Sequence, residues 1–255
     1  MTTLLRQEMF KLRHQNITWI TVGFNLIVMT LFAVLTKLKP TWFDANNEVA
    51  MGFSGTLFLV FFLIGVASTI VAAEFQYGTI KALLYRKYYR GQVFASKVVT
   101  LLVYSIINYI IIFGYTMVLK LILFGNVDLT AKIGKTTIIG QLGLNLLGSF
   151  VGLWLILALV LLIANLFKTS SAAITIGILS YFAASILQVV QSFAIQKWNW
   201  LKWNPLNMLN AGAQIKDSTL HSFTKLSLTA ITTGSIVYTL IFLLIGYYIF
   251  KKRNV

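Results

Sequence analysis

The fold expected of this 255-residue chain is all-α integral membrane, a bundle of six transmembrane helices, and three observations predict it. Hydrophobic residues make up 58% of the chain and charged residues 11%, far from the roughly one half and about a quarter of a soluble domain. Apolar runs recur at 17–36, 51–73, 98–124, 138–166, 172–195 and 227–250, each long enough, at about 1.5 Å per residue, to cross a hydrocarbon core of about 30 Å. Basic residues sit in the short segments between those runs instead of along one solvated face, so the net charge of +15 reads as a topology signal rather than a nucleic-acid surface.

Residues 1–16 place Met1, Leu5, Met9 and Leu12 on one side, with Arg6, Glu8, Lys11 and Arg13 on the flanks. That pattern suits an amphipathic helix in the inner headgroup layer; a charged tail that only fixes topology is the alternative. The first span lacks a small-residue cleavage site and reads as a retained helix. Six crossings put both ends on one side. With the N-terminus inside, twelve of the 21 basic residues are inner and nine outer, and the cluster after the second span and the terminal Lys251-Lys252-Arg253 dominate that bias. The expected location is the plasma membrane with both termini cytoplasmic, residues 1–255 forming a single transmembrane domain without a nucleotide-binding domain.

Between the second and third spans, Glu74 to Lys97 hold one of six acidic residues and five basic ones. Tyr77, Ile80, Leu83 and Leu84 recur at helical spacing and form one face, as in a short helix lying at a membrane or protein surface. The first outer loop, 37–50, reads as a plain connector. In the second, Ile133-Gly134-Lys135-Thr136-Thr137 carries the Gly-Lys-Thr end of a phosphate-binding loop. The full pattern needs a glycine five places before Gly134, where Leu129 stands, so it is rejected.

The fourth span carries Gly148 and Gly152 at small-xxx-small spacing, which lets helix backbones approach closely, within the bundle or at a subunit interface. The last outer segment, 196–226, opens with Trp198, Trp200, Trp203 and Pro205 and continues apolar. It is expected to dip into the outer leaflet or cap the bundle, its tryptophans acting as an outer gate or as an interfacial belt.

Much chemistry is excluded. There is no cysteine, and His14 and His221 lie far apart, so disulfides, iron–sulfur clusters and a metal or proton-relay pair of histidines are not expected. The acids lie in loops or at span ends, which argues against proton- or sodium-coupled transport and against a membrane protease. Neutral polar residues are scattered through the spans instead: Asn25, Asn108, Asn145, Asn165, Gln188 and Gln191. They either hydrogen-bond between helices or moisten a translocation path, for which Asn25, Asn108, Asn145, Gln188 and Gln191 are the candidates.

Six spans, an amphipathic N-terminal segment and the inner sequence Glu74-x-x-x-Gly78-Thr79-x-Lys81-x-Leu83-Leu84, followed by Arg90 and Lys97, resemble the permease subunit of an ABC-2 type ABC exporter. Similarity is greatest to the small permeases of antimicrobial-peptide immunity and peptide-toxin export systems in Gram-positive bacteria. Tyr88 and Tyr89 stand where that family often has proline and serine.

The resemblance implies a cytosolic coupling helix between helices 2 and 3, seated in a cleft of a separate ATPase. Glu74, Tyr77, Gly78, Thr79, Ile80, Lys81, Leu83, Leu84, Arg86 and Arg90 would form the coupling element. Glu74 would accept from the amides that open that helix, and Gly78 would allow a close approach or a bend. By the same resemblance two ATPase subunits bind ATP and Mg, this chain holds no cofactor and no catalytic residue, and a second permease copy or paralogue completes the assembly. The implied cargo is an amphipathic or antimicrobial peptide moved through a lipid bilayer. Export of drugs or lipids, or a non-transporting scaffold or sensor with a basic inner loop, is the alternative.

Overall fold

The computed structural model describes residues 2–79, 88–134 and 136–253. Helix α1 (Thr2–His14) turns at Gln15 into the first span, α2 (Asn16–Leu38). The corner is held by the second helix capping the first: the Thr18 hydroxyl donates to Leu12 O at 2.5 Å, and Trp19 Nε1 to Arg13 O at 3.0 Å. These bonds satisfy carbonyls that a helix end would otherwise leave open. The buried stripe of α1 is Leu4, Glu8 and Leu12, one step round from the expected Met1, Leu5, Met9 and Leu12. A carboxylate lies in that stripe because a lysine of another helix is waiting for it.

The 37–50 segment is more than a connector. It folds into α3 (Ala45–Ala50), capped by the Asp44 carboxylate accepting from Asn47 N–H at 3.0 Å, with Val49 and Ala50 buried. Asn145 Nδ2 donates to Ala50 O at 2.7 Å, so this loop is bonded to the fourth span.

The second span does not run unbroken from 51. Gly52, Phe53 and Ser54 all have positive φ (65°, 46° and 57°), and the helix α4 is Leu59–Gln76. Packing explains the break. Phe53 is fully buried and stacks on Phe124 at 5.7 Å between ring centres, while a Cβ on Gly55 would sit 2.8 Å from Met29 Sδ. The chain there is compressed against α2 and the third span, and left-handed backbone is the geometry that fits.

The third span, α5 (Arg90–Leu123), starts two turns earlier than its apolar run. Its 34 residues extend about 51 Å, beyond a hydrocarbon core of about 30 Å. A two-strand hairpin follows, β1 (Lys132–Ile133) antiparallel to β2 (Thr136–Thr137), with Lys132 opposite Thr137 and Ile133 opposite Thr136. Gly134 makes its turn at φ 63°. Thr137 then caps α6 (Ile138–Ala164), and Thr169 caps α7 (Ser170–Lys197). The last span is α11 (Leu228–Lys252), capped by Ser227.

Six helices, α2, α4, α5, α6, α7 and α11, are long and apolar enough to cross a membrane. The protein is an all-α multi-pass membrane protein. The second span, α4, is the most enclosed and forms the centre of the bundle with α6, through Leu63, Val66, Ala67, Leu157 and Leu161. The outward faces of α2 and α11 are apolar, with Ile20, Ile27, Leu31, Leu240 and Leu244 exposed. Lipid is the solvent that suits such faces.

Between α7 and α11 lie a 3-10 turn at Asn199–Trp203, α8 (Pro205–Met208), α9 (Ala211–Lys216), a second 3-10 turn at Ser218–Leu220 and α10 (His221–Thr224). This segment is anchored, not looping. A Cβ on Gly148 would lie 2.5 Å from Gly212 O, so α6 and α9 touch backbone to backbone, and Gly152 stands against Leu209 O at 3.9 Å. The small-residue pair thus packs within the protomer. Gly148 is the eleventh residue of α6, about 15 Å from its hairpin end, so α9 reaches well down the bundle and the segment is partly embedded.

Candidate functional site

The loop end of the bundle, where α4 stops and α5 begins, holds four interlocked charges. Lys97, eight residues into α5, is 1% exposed, and its ammonium donates to Glu8 Oε2 at 3.0 Å and Glu74 Oε1 at 3.1 Å. Lys11 donates to Glu8 Oε1 at 3.0 Å and to Glu74 Oε1 at 2.7 Å. Glu8 is 3% and Glu74 5% exposed, whereas Lys11 keeps 43% of its side chain in contact with solvent. Two carboxylates and two ammoniums balance, which is the condition for leaving charge out of water.

The remaining Glu74 oxygen, Oε2, accepts from the Thr79 hydroxyl. Three helices, α1, α4 and α5, therefore meet in one bonded knot where α4 ends and α5 begins. Glu74 is bonded by side chains here; the amides of residues 80–87, which it was expected to serve, lie outside the described residues. Burial works against the Lys11 ammonium, but the hydrogen bonds and charges of Glu74 and Glu8 outweigh it and hold its pKa above the usual lysine value.

A second clamp ties down the end of α11. Arg253 donates through Nη1 to Asn165 O and through Nη2 to Phe167 O, both at 2.8 Å, and its guanidinium carbon lies 3.6 Å from the centre of the Phe75 ring. Arg90 Nη1 donates to Arg253 O at 2.5 Å and to Lys251 O at 3.2 Å. Gln76 Oε1 accepts from Ser170 N–H at 2.8 Å, joining the end of α4 to the start of α7. These bonds cross-link the ends of α4, α6 and α11 with the starts of α5 and α7.

Of the expected coupling residues, Ile80, Lys81, Leu83, Leu84 and Arg86 lie outside the described residues. Tyr77 is exposed, and Gly78 has φ 66°, the left-handed geometry of a bend, with nothing within 4 Å of its Cβ position among the described residues. Arg90, expected among charges offered to a partner, is committed to the carbonyls of α11.

Three of the five candidate path residues are bonded to other groups of the protein. Asn108 bonds back to Tyr104 O of its own helix at 2.9 Å, Asn145 holds Ala50, and Gln188 Nε2 donates to Asn210 Oδ1 at 2.6 Å. Asn25 is buried on α2, and Gln191 is buried on α7 with neither amide atom bonded among the described residues. Asn165 donates to Leu161 O at 2.8 Å and Gly246 O at 3.2 Å. Trp198, Trp200 and Trp203 are each more than half exposed, and Pro205 opens α8 under the Asn204 cap. Missed from the sequence were Glu8, Lys11 and Arg253 as structural partners. The opposite charges at Glu8 and Lys11, three apart on an otherwise basic segment, were the available signal.

Fold and site define a multi-pass α-helical membrane protein whose loop end is locked by buried charge. The chain belongs to the family described as "Protein of unknown function (DUF2705)", which matches residues 41–255. Among curated proteins it is similar to the "Uncharacterized membrane protein YdbK" of Bacillus subtilis (strain 168), 28% identical over 255 residues covering 96% of this chain and 99% of the relative. It is also similar to the "Uncharacterized protein YhcI" of the same organism, 27% identical over 210 residues, 78% of this chain and 66% of the relative.

Proposed function

We propose that this chain is the transmembrane permease subunit of an ATP-driven exporter, set in the plasma membrane with both termini cytoplasmic. Two ATPase subunits, binding ATP and Mg, would drive it through the 74–97 segment, with a second permease copy or paralogue completing the assembly and an amphipathic peptide as cargo. The observation that carries this reading is the pair of salt bridges from Lys97 to Glu8 and Glu74. A force applied to the 74–97 segment would not flex one helix alone; it would move α1, α4 and α5 as one body, which is what a lever between an engine and a bundle requires.

The ABC-2 resemblance of the loop sequence supports the same reading, and the exposed apolar faces of the spans suit a protein whose partners include lipid and another membrane chain. The absence of cysteine makes a direct test practical. A single cysteine placed at Lys81 should resist a membrane-impermeant thiol reagent in intact cells, and one at Lys132 should react. Co-expressed with a candidate ABC ATPase subunit, the native chain should co-purify with it, and Leu83→Asp with Leu84→Asp should abolish the association. External labelling at Lys81, or unchanged ATPase binding by the double variant, would defeat the proposal.

A further inference from the structure

A different feature stands on the far half of the bundle, where α9 packs on α6. Lys216 ends α9, its stem crossing Gly148 so closely that a Cβ there would be 3.3 Å from Lys216 Cγ. It borders a cleft of about 320 Å³ lined by Thr56, Tyr109, Ser149, Gly152 and Tyr181 among others, and it is the single charged residue of that lining. All six acidic side chains fall within the described residues. Among the described residues, the ion pairs they form are with Lys11 and Lys97, none with Lys216. Burial alone pushes the Lys216 pKa down, as it does for an ammonium given no counter-charge.

Next to this cleft is a second space of about 230 Å³ with an almost wholly apolar lining that includes Leu155, Leu159, Ala184 and Phe242. The two share Ile156, Tyr181 and Leu209. A cationic, hydroxyl-edged compartment therefore adjoins an oily one, and together they fall in the range of about 300–1,000 Å³ typical of small-molecule sites. We propose that they form one binding site for a single-chain acidic amphipath, its carboxylate or phosphate head on Lys216 and its alkyl tail passing Tyr181 into the apolar space.

The charge in the cleft selects against a cationic head and the apolar space against a short polar solute. A lysine at a helix C-terminus is favoured there by the helix dipole, but that accounts for the residue and not for the oily compartment beside it. The site needs no ATPase, so its success or failure is separate from that of the exporter reading.

The test uses the full chain in nanodiscs of zwitterionic lipid, with a diazirine-bearing dodecanoic acid as photoprobe and mass spectrometry to locate the label. Saturable labelling is expected in the stretches 155–160, 180–184 and 205–209. Dodecanoate or dodecyl phosphate should displace it, the stronger of the two identifying the head as carboxylate or phosphate; dodecanol and dodecylamine should not. Lys216→Gln should raise the half-saturating concentration by about tenfold, and Lys216→Arg should stay within about threefold of native. Helical content by circular dichroism confirms that each variant is folded, and Ala184→Trp, which fills the apolar space and leaves the lysine in place, should also weaken labelling. Unsaturable labelling, displacement by dodecanol as strong as by dodecanoate, or native affinity in a folded Lys216→Gln would overturn the proposal.

Discussion

The two ends of this bundle are held by opposite means. At the loop end, α1, α4 and α5 are joined by four charges, three of them nearly inaccessible to water. At the other end, α9 and α10 are joined by neutral groups: Asn207 Nδ2 donates to Lys202 O at 2.7 Å and Thr224 O at 3.0 Å, Gln214 Nε2 to Leu226 O at 2.9 Å, and the Thr224 hydroxyl to Gln214 Oε1 at 2.7 Å. Glycine contact completes that seal. Charges bond strongly only when all partners are present, so the loop end is rigid and intolerant of single changes. Neutral amides bonded to backbone lose less when one is removed, and they leave a lysine and a cleft unclaimed. The contrast suits an end that transmits force and an end that accommodates a guest.

The largest expected effect breaks the charged end. Lys97→Met leaves Glu8 and Glu74 facing only the half-exposed Lys11, and should cost about 3–5 kcal/mol of stability, measured as the shift in heat- or detergent-induced unfolding. Glu8→Leu combined with Lys97→Met keeps the Glu74–Lys11 pair and should recover a large part of that loss, because the unpaired buried carboxylate has gone. A Lys97→Met protein no less stable than one carrying Lys37→Met would mean that the cluster locks nothing.

The next effect is at the neutral end. Gly148→Val sets a side chain against the Gly212 carbonyl, and backbone cannot yield as a flexible side chain can, so a loss of about 1–3 kcal/mol or more is expected. Gly152→Ala faces Leu209 O at an ordinary 3.9 Å and should be close to native. Equal behaviour of the two variants would remove the close α6–α9 approach from the account of how this end is sealed.

Length and hydropathy made the six crossings legible, and four of the predicted spans agree with the observed helices to within two residues at each end. The second departs because a run such as Met51-Gly52-Phe53-Ser54-Gly55 is apolar whether helical or not; what decides its backbone is Met29 and Phe124, contributed from elsewhere. The third begins earlier than its apolar run because helix formation does not stop where hydrophobicity does. The charged knot was hidden for a similar reason. Lys97 meets Glu8 across 89 residues and Lys11 meets Glu74 across 63, and no local pattern links them. Glu8 and Lys11 read as flanks of an amphipathic helix, and Glu74 and Lys97 as parts of the inner segment, until the helices that carry them were placed side by side. Arg90 shows the same limit: a basic residue in a basic loop reads as a contact for a partner, and the fold uses it to hold α11.

The smallest expected effect sharpens the contrast through pH. Lys11 has a folded pKa raised above the usual lysine value of 10.5, so its contribution to stability is fully present below the unfolded value and is lost as pH rises through the folded one. The side chain is 43% exposed, and solvent screening keeps the contribution small. Between about pH 8 and 12 the unfolding midpoint of the native protein should fall more steeply above the unfolded lysine pKa than that of Lys11→Met. Parallel profiles would mean that Lys11 lies loosely on the surface of the knot, leaving Lys97 as the sole ammonium that binds α1 to the two helices flanking the loop.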